Sequence, residues 1–165
     1  MEKIISGKTH IFGDNIDTDQ IYPGQFLEIV GPKEIALHCL KGARPSFAED
    51  FQKGEIVVAG KNFGCGSSRE HAATTLKEIG VSAVLAKSFA RIFYRNAINL
   101  GLMVVVCTQI DELDLTEGQE ITIDIENGIV VNNSTGKQIA CEPVSEFAME
   151  ILSYGGMVNM IKAQK

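Results

Sequence analysis

The stretch GKNFGCGSSREH, Gly60 to His71, sets Ser67 and Ser68 directly before Arg69, Glu70 and His71, with Gly60, Gly64 and Gly66 on the upstream side. These residue types suit the handling of an anion and of one proton. An arginine forms two-pronged pairs with carboxylates, and the free N–H groups at the start of a helix favour negative charge. Gly64 and Gly66 would let the backbone come close to a ligand. Ser67 or Ser68 then stands where a hydroxyl can take or give a proton. A serine hydroxyl is too weak an acid to act as a base unaided, so N–H donors and Arg69 have to stabilise its alkoxide. The competing interpretation is structural: a strand-to-helix turn that needs room, with serine near the helix start.

Several familiar chemistries do not fit. No G-K-[ST] follows the glycines, so this is not a nucleotide-binding P-loop, and the third glycine of G-x-G-x-x-G is missing. The G-x-S-x-G elbow of serine hydrolases is absent, and nothing places His10, His38 or His71 as its base. The segment DNIDTD offers Asp14, Asn15, Asp17 and Asp19, but it lacks the closing glutamate of a calcium loop; Asx-turn capping accounts for it more simply. Cys39, Cys65, Cys107 and Cys141 show no C-x-x-C spacing and no clustering with histidine. They are expected to be reduced, mostly buried thiols, and this chain is expected to hold no metal by itself.

The elements that must position these residues follow from the pattern. A strand is expected from about Ile4 to Phe12, then a turn-rich segment, GDNIDTDQIYPG. PKEIALHCL, Pro32 to Leu40, reads as a short helix with proline at its start. Glu55 to Ala59 reads as a buried strand leading into the glycine turn, and Ser68 to Ile79 as a helix ended by Gly80. Val81 to Ala86, Phe89 to Asn96 and Leu102 to Val106 read as strand, helix and strand. Two successive strand–helix–strand units imply parallel strands covered by helices. Beyond Cys107 the sequence alternates apolar and polar residues, with turns at Asn127-Gly128 and Thr135-Gly136, which signals an antiparallel meander. Pro143 to Leu152 reads as a closing helix. His71 and the lone His10 and His38 read as structural.

Composition bounds the class. The chain has 165 residues, 45% of them apolar, and suits one α/β domain over residues 1–165. A net charge of −6 with scattered basic residues argues against nucleic acid as a partner. MEKIISGKTHIFGD lacks the apolar core of a signal peptide, and GLMVVV is too short to span a bilayer, so a soluble, cytoplasmic protein that binds no membrane is expected.

Three stretches in order, GDNIDTDQIYPG, GSSREHA and KSFARIFYRNAINLGL, resemble the small-subunit, or swivelling-domain, proteins of the aconitase superfamily. The similarity is nearest to small subunits of 3-isopropylmalate dehydratases, with homoaconitase small subunits close behind, and it runs from about Gly7 to the C-terminal helix. The resemblance implies a swivelling β/β/α domain and a hydro-lyase that isomerises 3-isopropylmalate and 2-isopropylmalate by dehydration and rehydration, in leucine biosynthesis. It implies a large-subunit partner carrying a [4Fe–4S] cluster whose open iron activates the departing hydroxyl, in one heterodimer or a heterotetramer. Ser67 matches the family's base, which removes a proton from the carbon beside a carboxylate of a small hydroxy di-acid. Arg69 matches the arginine that binds that carboxylate and supports the serine, with Gly66 and Ser68 beside the substrate. Asp17 and Thr18 fall on the pocket rim, where they position loops or touch the other subunit. Arg91 and Arg95, one helical turn apart, either dock against an acidic subunit surface or hold the active-site turn; ordinary solvent exposure is the alternative.

The segment Phe26-Leu27-Glu28-Ile29 falls on the family's substrate-selecting loop. Homoaconitase-like proteins have Tyr-Leu-Arg-Thr there, the arginine serving an extra carboxylate. Glu28 in its place should repel such a group, while Phe26, Leu27 and Ile29 suit an apolar isopropyl group. The segment also departs from the Tyr-Leu-Val-Tyr pattern of isopropylmalate enzymes, which leaves homoaconitase-type and 2,3-dimethylmalate or citramalate-type substrates as alternatives. A non-catalytic anion-binding or structural module is a further alternative.

Overall fold

The computed structural model describes residues 3–165. Its strands are β1 (Ile4–Ile11), β2 (Ile56–Ala59), β3 (Ala83–Ala86), β4 (Val104–Val106), β5 (Glu120–Asp124), β6 (Ile129–Asn132) and β7 (Gln138–Ala140). They form one seven-stranded sheet in the order β4-β3-β2-β1-β5-β6-β7. The first four strands are parallel, and β5, β6 and β7 continue as an antiparallel meander from β1. The parallel half with its antiparallel extension is the mixed α/β architecture that the sequence pattern implied.

The burial of each half explains its sequence. β2 and β3 are buried at every position, as parallel strands covered on both faces must be, and both read as continuous Val, Ala, Ile and Leu. β5 alternates, with Ile121 and Ile123 fully buried between an exposed Glu120 and half-buried Thr122 and Asp124. The turn at Asn127-Gly128 places Gly128 at φ +66°, a left-handed conformation that favours glycine.

The helices are α1 (Thr18–Ile21), α2 (Pro32–Ala36), α3 (Phe47–Asp50), α4 (His71–Ile79), α5 (Arg91–Leu100), α6 (Glu146–Ser153) and α7 (Met157–Ala163). α4 packs on α2 and α5, and α5 on α6 and α7. Gly80 and Gly101 end α4 and α5 in left-handed caps. Among the described residues no helix is long and apolar enough to cross a membrane.

Several boundaries differ from expectation, among them that of the helix expected over Phe89 to Asn96, which runs from Arg91 to Leu100. The helix expected over Ser68 to Ile79 starts at His71, so the two serines and Arg69 precede it as irregular chain. The helix expected from Pro32 to Leu40 stops as regular structure at Ala36, and Leu40 lies at φ +53°, which no α-helix tolerates. Gly155 and Gly156 do stop α6, but α7 follows them; α7, and the single turn of α1 inside the turn-rich segment, lie outside the expected set.

Candidate active site

The parallel pairing of β1 with β2 continues past the strand ends, and this extension builds the site. Phe12 N–H donates to Val58 O (2.8 Å), Gly60 N–H to Gly13 O (3.1 Å) and Asn15 N–H to Lys61 O (2.7 Å); Gly64 N–H to Ile16 O and Thr18 N–H to Cys65 O follow, each at 2.8 Å. The acidic DNIDTD segment therefore runs beside GKNFGCGSS as its scaffold. Its side chains serve the same end. Asp14 accepts Lys61 N–H at 2.7 Å, and the Asn62 amide donates to Asn15 at 3.0 Å. Asn15 and Asn62 sit at φ +57° and +58°, a region asparagine enters more readily than most residues. Asp17 caps α1 in a reciprocal box with Gln20: its carboxylate accepts Gln20 N–H at 2.8 Å, and Gln20 Oε1 accepts Asp17 N–H at 3.0 Å. Capping thus accounts for Asp17, while Asp14 is engaged by Lys61 N–H across the paired segment.

The other flank of the turn is fastened by the start of KSFARIFYRN. Asn62 N–H donates to Ser88 Oγ (2.9 Å), and Phe63 N–H to Ser88 O (3.1 Å). Phe63 is fully buried, edge-on to Phe89 and Phe93 with ring centroids 6.1 and 5.2 Å away. The three stretches that carried the family resemblance are thus adjacent in space around one turn.

Gly64 and Gly66 lie at φ +83° and +102°. A Cβ at Gly64 would run into the Phe93 ring, and one at Gly66 would stand 3.3 Å from Thr18 Oγ1. The glycines answer to chain geometry and to close packing by Phe93 and Thr18. The same local fold leaves the backbone N–H groups of Gly66, Ser68 and Arg69 without a hydrogen-bond partner among the described residues. These donors, not a helix N-terminus, flank Ser67.

Ser67 is exposed, and its Oγ is 3.0 Å from Thr18 Oγ1, which also accepts Ser67 N–H at 3.2 Å. Thr18 itself is buried, 4% exposed. Arg69 is half-buried, and its Nη1 lies 3.4 Å from Asp19 Oδ1; that same oxygen accepts Gly24 N–H at 2.8 Å. Asp19 thus ties Arg69 to the proline–glycine turn while the rest of the guanidinium makes no hydrogen bond among the described residues. Asp19 was absent from the expected site; the signal that would have found it is that Arg69, half-buried, needs an anion to hold it. The Asn96 amide reaches Ser68 O at 3.5 Å, a long contact from α5. His71 stacks on the buried Tyr22 ring with centroids 5.5 Å apart, a structural role as expected.

The loop after the proline–glycine begins against Arg69, since a Cβ on Gly24 would lie 3.3 Å from Arg69 Nη1. Glu28 is exposed; Leu27 and Ile29 are half-buried. The Phe26 ring stacks on His38 at 3.7 Å between centroids, with Lys41 5.3 Å above it, and Tyr22 Oη donates to Phe26 O at 2.8 Å. Burial and then the Lys41 charge hold the His38 imidazolium below its ordinary range. Arg91 and Arg95 are exposed on α5 and form no ion pair among the described residues.

Taken together, an exposed hydroxyl with a buried hydroxyl behind it, unpartnered N–H groups beside it and a tethered arginine can bind a carboxylate and accept a proton from the atom next to it. The residues present do not suit a metal or cluster. Among the described residues no group of three His, Cys, Asp or Glu side chains converges on one point. Cys39 and Cys107 are buried, Cys65 and Cys141 half-buried, all as free thiols.

This fold and turn are those of an aconitase-type domain: residues 2–109 match the Aconitase C-terminal domain family, and the chain belongs to that family. Within it, the chain is 49% identical over 164 residues to the 3-isopropylmalate dehydratase small subunit 1 of Methanopyrus kandleri, covering 99% of this chain and 96% of that one. It is 48% identical over 159 residues to the methanogen homoaconitase small subunit of Methanothermobacter thermautotrophicus, covering 96% and 91%. The crystal structure of 3-isopropylmalate dehydratase (leuD) from Methanocaldococcus jannaschii superimposes with a TM-score of 0.92 at 44% identity, over 98% of this chain and 95% of that one.

Proposed function

We propose that this chain is the small subunit of a 3-isopropylmalate dehydratase, a hydro-lyase that interconverts 3-isopropylmalate and 2-isopropylmalate and acts together with a large subunit. The near full-length similarity to dehydratase small subunits supports the activity. The observation that carries the mechanism is the pairing of exposed Ser67 with tethered Arg69 on one turn.

In this mechanism Arg69 and the N–H groups of Gly66, Ser68 and Arg69 bind a substrate carboxylate. Ser67, acting as its alkoxide after passing its own proton to solvent water, takes the proton from the adjacent carbon and later returns it. The C–H electron pair forms the double bond as hydroxide leaves the neighbouring carbon, and water re-adds with the two positions exchanged. Activation of the leaving hydroxyl is assigned, by the family similarity, to a [4Fe–4S] cluster held by the large subunit; among the described residues this chain has no group of three converging His, Cys, Asp or Glu side chains. The isolated chain is therefore inactive. Arg91 and Arg95, exposed beside a groove of about 320 Å³ on α5 and α6, are assigned to docking the large subunit, as one heterodimer or a pair of them.

Phe26, Leu27, Glu28 and Ile29 are assigned to substrate selection. The similarity to a homoaconitase small subunit favours one second reading, with a tricarboxylate as substrate. Glu28 opposes it, since a carboxylate there repels a third carboxylate. The test is kcat/KM on the complex assembled with its large subunit, for 3-isopropylmalate, homocitrate, citramalate and 2,3-dimethylmalate. We expect 3-isopropylmalate to lead. A lead for homocitrate would overturn the assignment of Glu28, and a lead for a smaller methylated malate would move the substrate while keeping the chemistry.

A further inference from the structure

We infer that Thr18 is the positioning residue for Ser67, donating its hydroxyl hydrogen to Ser67 Oγ and so favouring the deprotonated serine. The inference rests on the assignment of Ser67 as the base.

A threonine hydroxyl offers one hydrogen and two lone pairs. At Thr18 one lone pair is committed to Ser67 N–H, which it accepts at 3.2 Å. The hydroxyl is buried, and a buried donor finds an acceptor. Ser67 Oγ, 3.0 Å away, is the one acceptor Thr18 Oγ1 reaches among the described residues. The Thr18 hydrogen therefore points at Ser67 Oγ. With that lone pair of the serine engaged from behind, the serine's own hydrogen turns toward the open side, where Ser67 is exposed. When Ser67 passes that hydrogen to solvent water on its exposed side, the Thr18 bond becomes a bond to a charged oxygen and strengthens, which favours the alkoxide.

The surroundings hold Thr18 in place for this. Its N–H is fixed to Cys65 O and its carbonyl accepts Tyr22 N–H, each at 2.8 Å. Asp17, one residue before it, is locked in the capping box. The β-branched side chain has few rotamers, and Gly66 faces it so closely that a Cβ there would sit 3.3 Å from its oxygen. Asp17 and Thr18 were expected at a pocket rim or a subunit contact. Thr18 is 4% exposed and lies under the turn, with its polar atom directed at Ser67.

The test compares Thr18→Val, Thr18→Ser and Ser67→Ala, each assembled with the large subunit and assayed with 3-isopropylmalate. Thr18→Val keeps the shape and removes the hydroxyl. It should lower kcat by about tenfold to a hundredfold, the effect of one hydrogen bond to a charged oxygen, with KM within about twofold of wild type. Thr18→Ser should restore kcat to within about threefold. A scaffolding role alone would instead displace Arg69 and raise KM. Thr18→Ala gives the same comparison if the valine variant does not assemble. Unchanged kcat in Thr18→Val, a loss confined to KM, or a serine variant as slow as the valine one would overturn the inference. Ser67→Ala separates the two levels: if it is inactive while Thr18→Val is fully active, Thr18 alone is misassigned. If Ser67→Ala turns over normally, the base assignment fails and the inference falls with it.

Discussion

Gly64 and Gly66 carry the site through their backbone angles. Both occupy left-handed φ, and Gly64 is covered by the Phe93 ring. Gly64→Ala combines backbone strain with overpacking and should destabilise the protein by about 2–4 kcal/mol, read as a lower denaturant midpoint. Gly66→Ala meets only the φ penalty and a tight approach to Thr18, so its loss should be about 1–2 kcal/mol. An equal loss at both positions would mean that Phe93 yields freely. At this scale the sequence pointed to candidate residues but not to their partners. Type and spacing pointed to Arg69 and to one of Ser67 and Ser68, and the family resemblance singled out Ser67. The Asp19 tether and the Thr18 hydroxyl were not legible, because both lie roughly fifty positions away along the chain and meet the turn only after β1 and β2 pair.

At the scale of elements, the pairing of β1 with β2 decides whether the turn exists at all. One polar contact near its root can be isolated. Glu55 Oε1 takes hydrogen bonds from His10 Nε2 at 2.9 Å and from Gln52 N–H at 2.7 Å, joining β1 to the residue before β2. Burial pushes the Glu55 carboxyl up, but the bonds from His10 and Gln52 and the nearby positive charge of His10 and Lys8 outweigh it and hold the carboxyl below 4.5, the ordinary glutamate value. A carboxylate whose acidity is strengthened by folding binds fewer protons folded than unfolded. Its contribution is therefore complete above about pH 4.5 and is lost as the pH falls further. Glu55→Gln should cost about 1–2 kcal/mol at neutral pH. It should also flatten the loss of stability as the pH falls below about 4.5, measured by urea unfolding. An unchanged acid limb would show that other carboxylates govern it. The parallel core and the meander were readable because periodicity reports burial directly. The start of α4 was misplaced by three residues because serine and arginine suit a helix start equally well in irregular chain. α7 was missed because the two glycines before it read as an end.

For the whole molecule, the site faces outward. Ser67 and Ser68 are exposed, and Ile92 is 49% and Phe147 61% exposed on the neighbouring helices α5 and α6. A surface of this kind fits a domain whose chemistry is completed by a second chain. What could not be read from this chain alone is that chain's contribution, since packing across an interface leaves no periodic trace in one sequence. The central claim is that Ser67 removes the substrate proton. The most direct measurement is conversion of 3-isopropylmalate by the complex assembled with its large subunit, comparing wild type with Ser67→Ala after co-purification shows equal assembly. Loss of a general base should lower kcat by about a thousandfold with assembly unchanged. A Ser67→Ala complex that keeps kcat within about tenfold of wild type would contradict it and move the base to the other subunit.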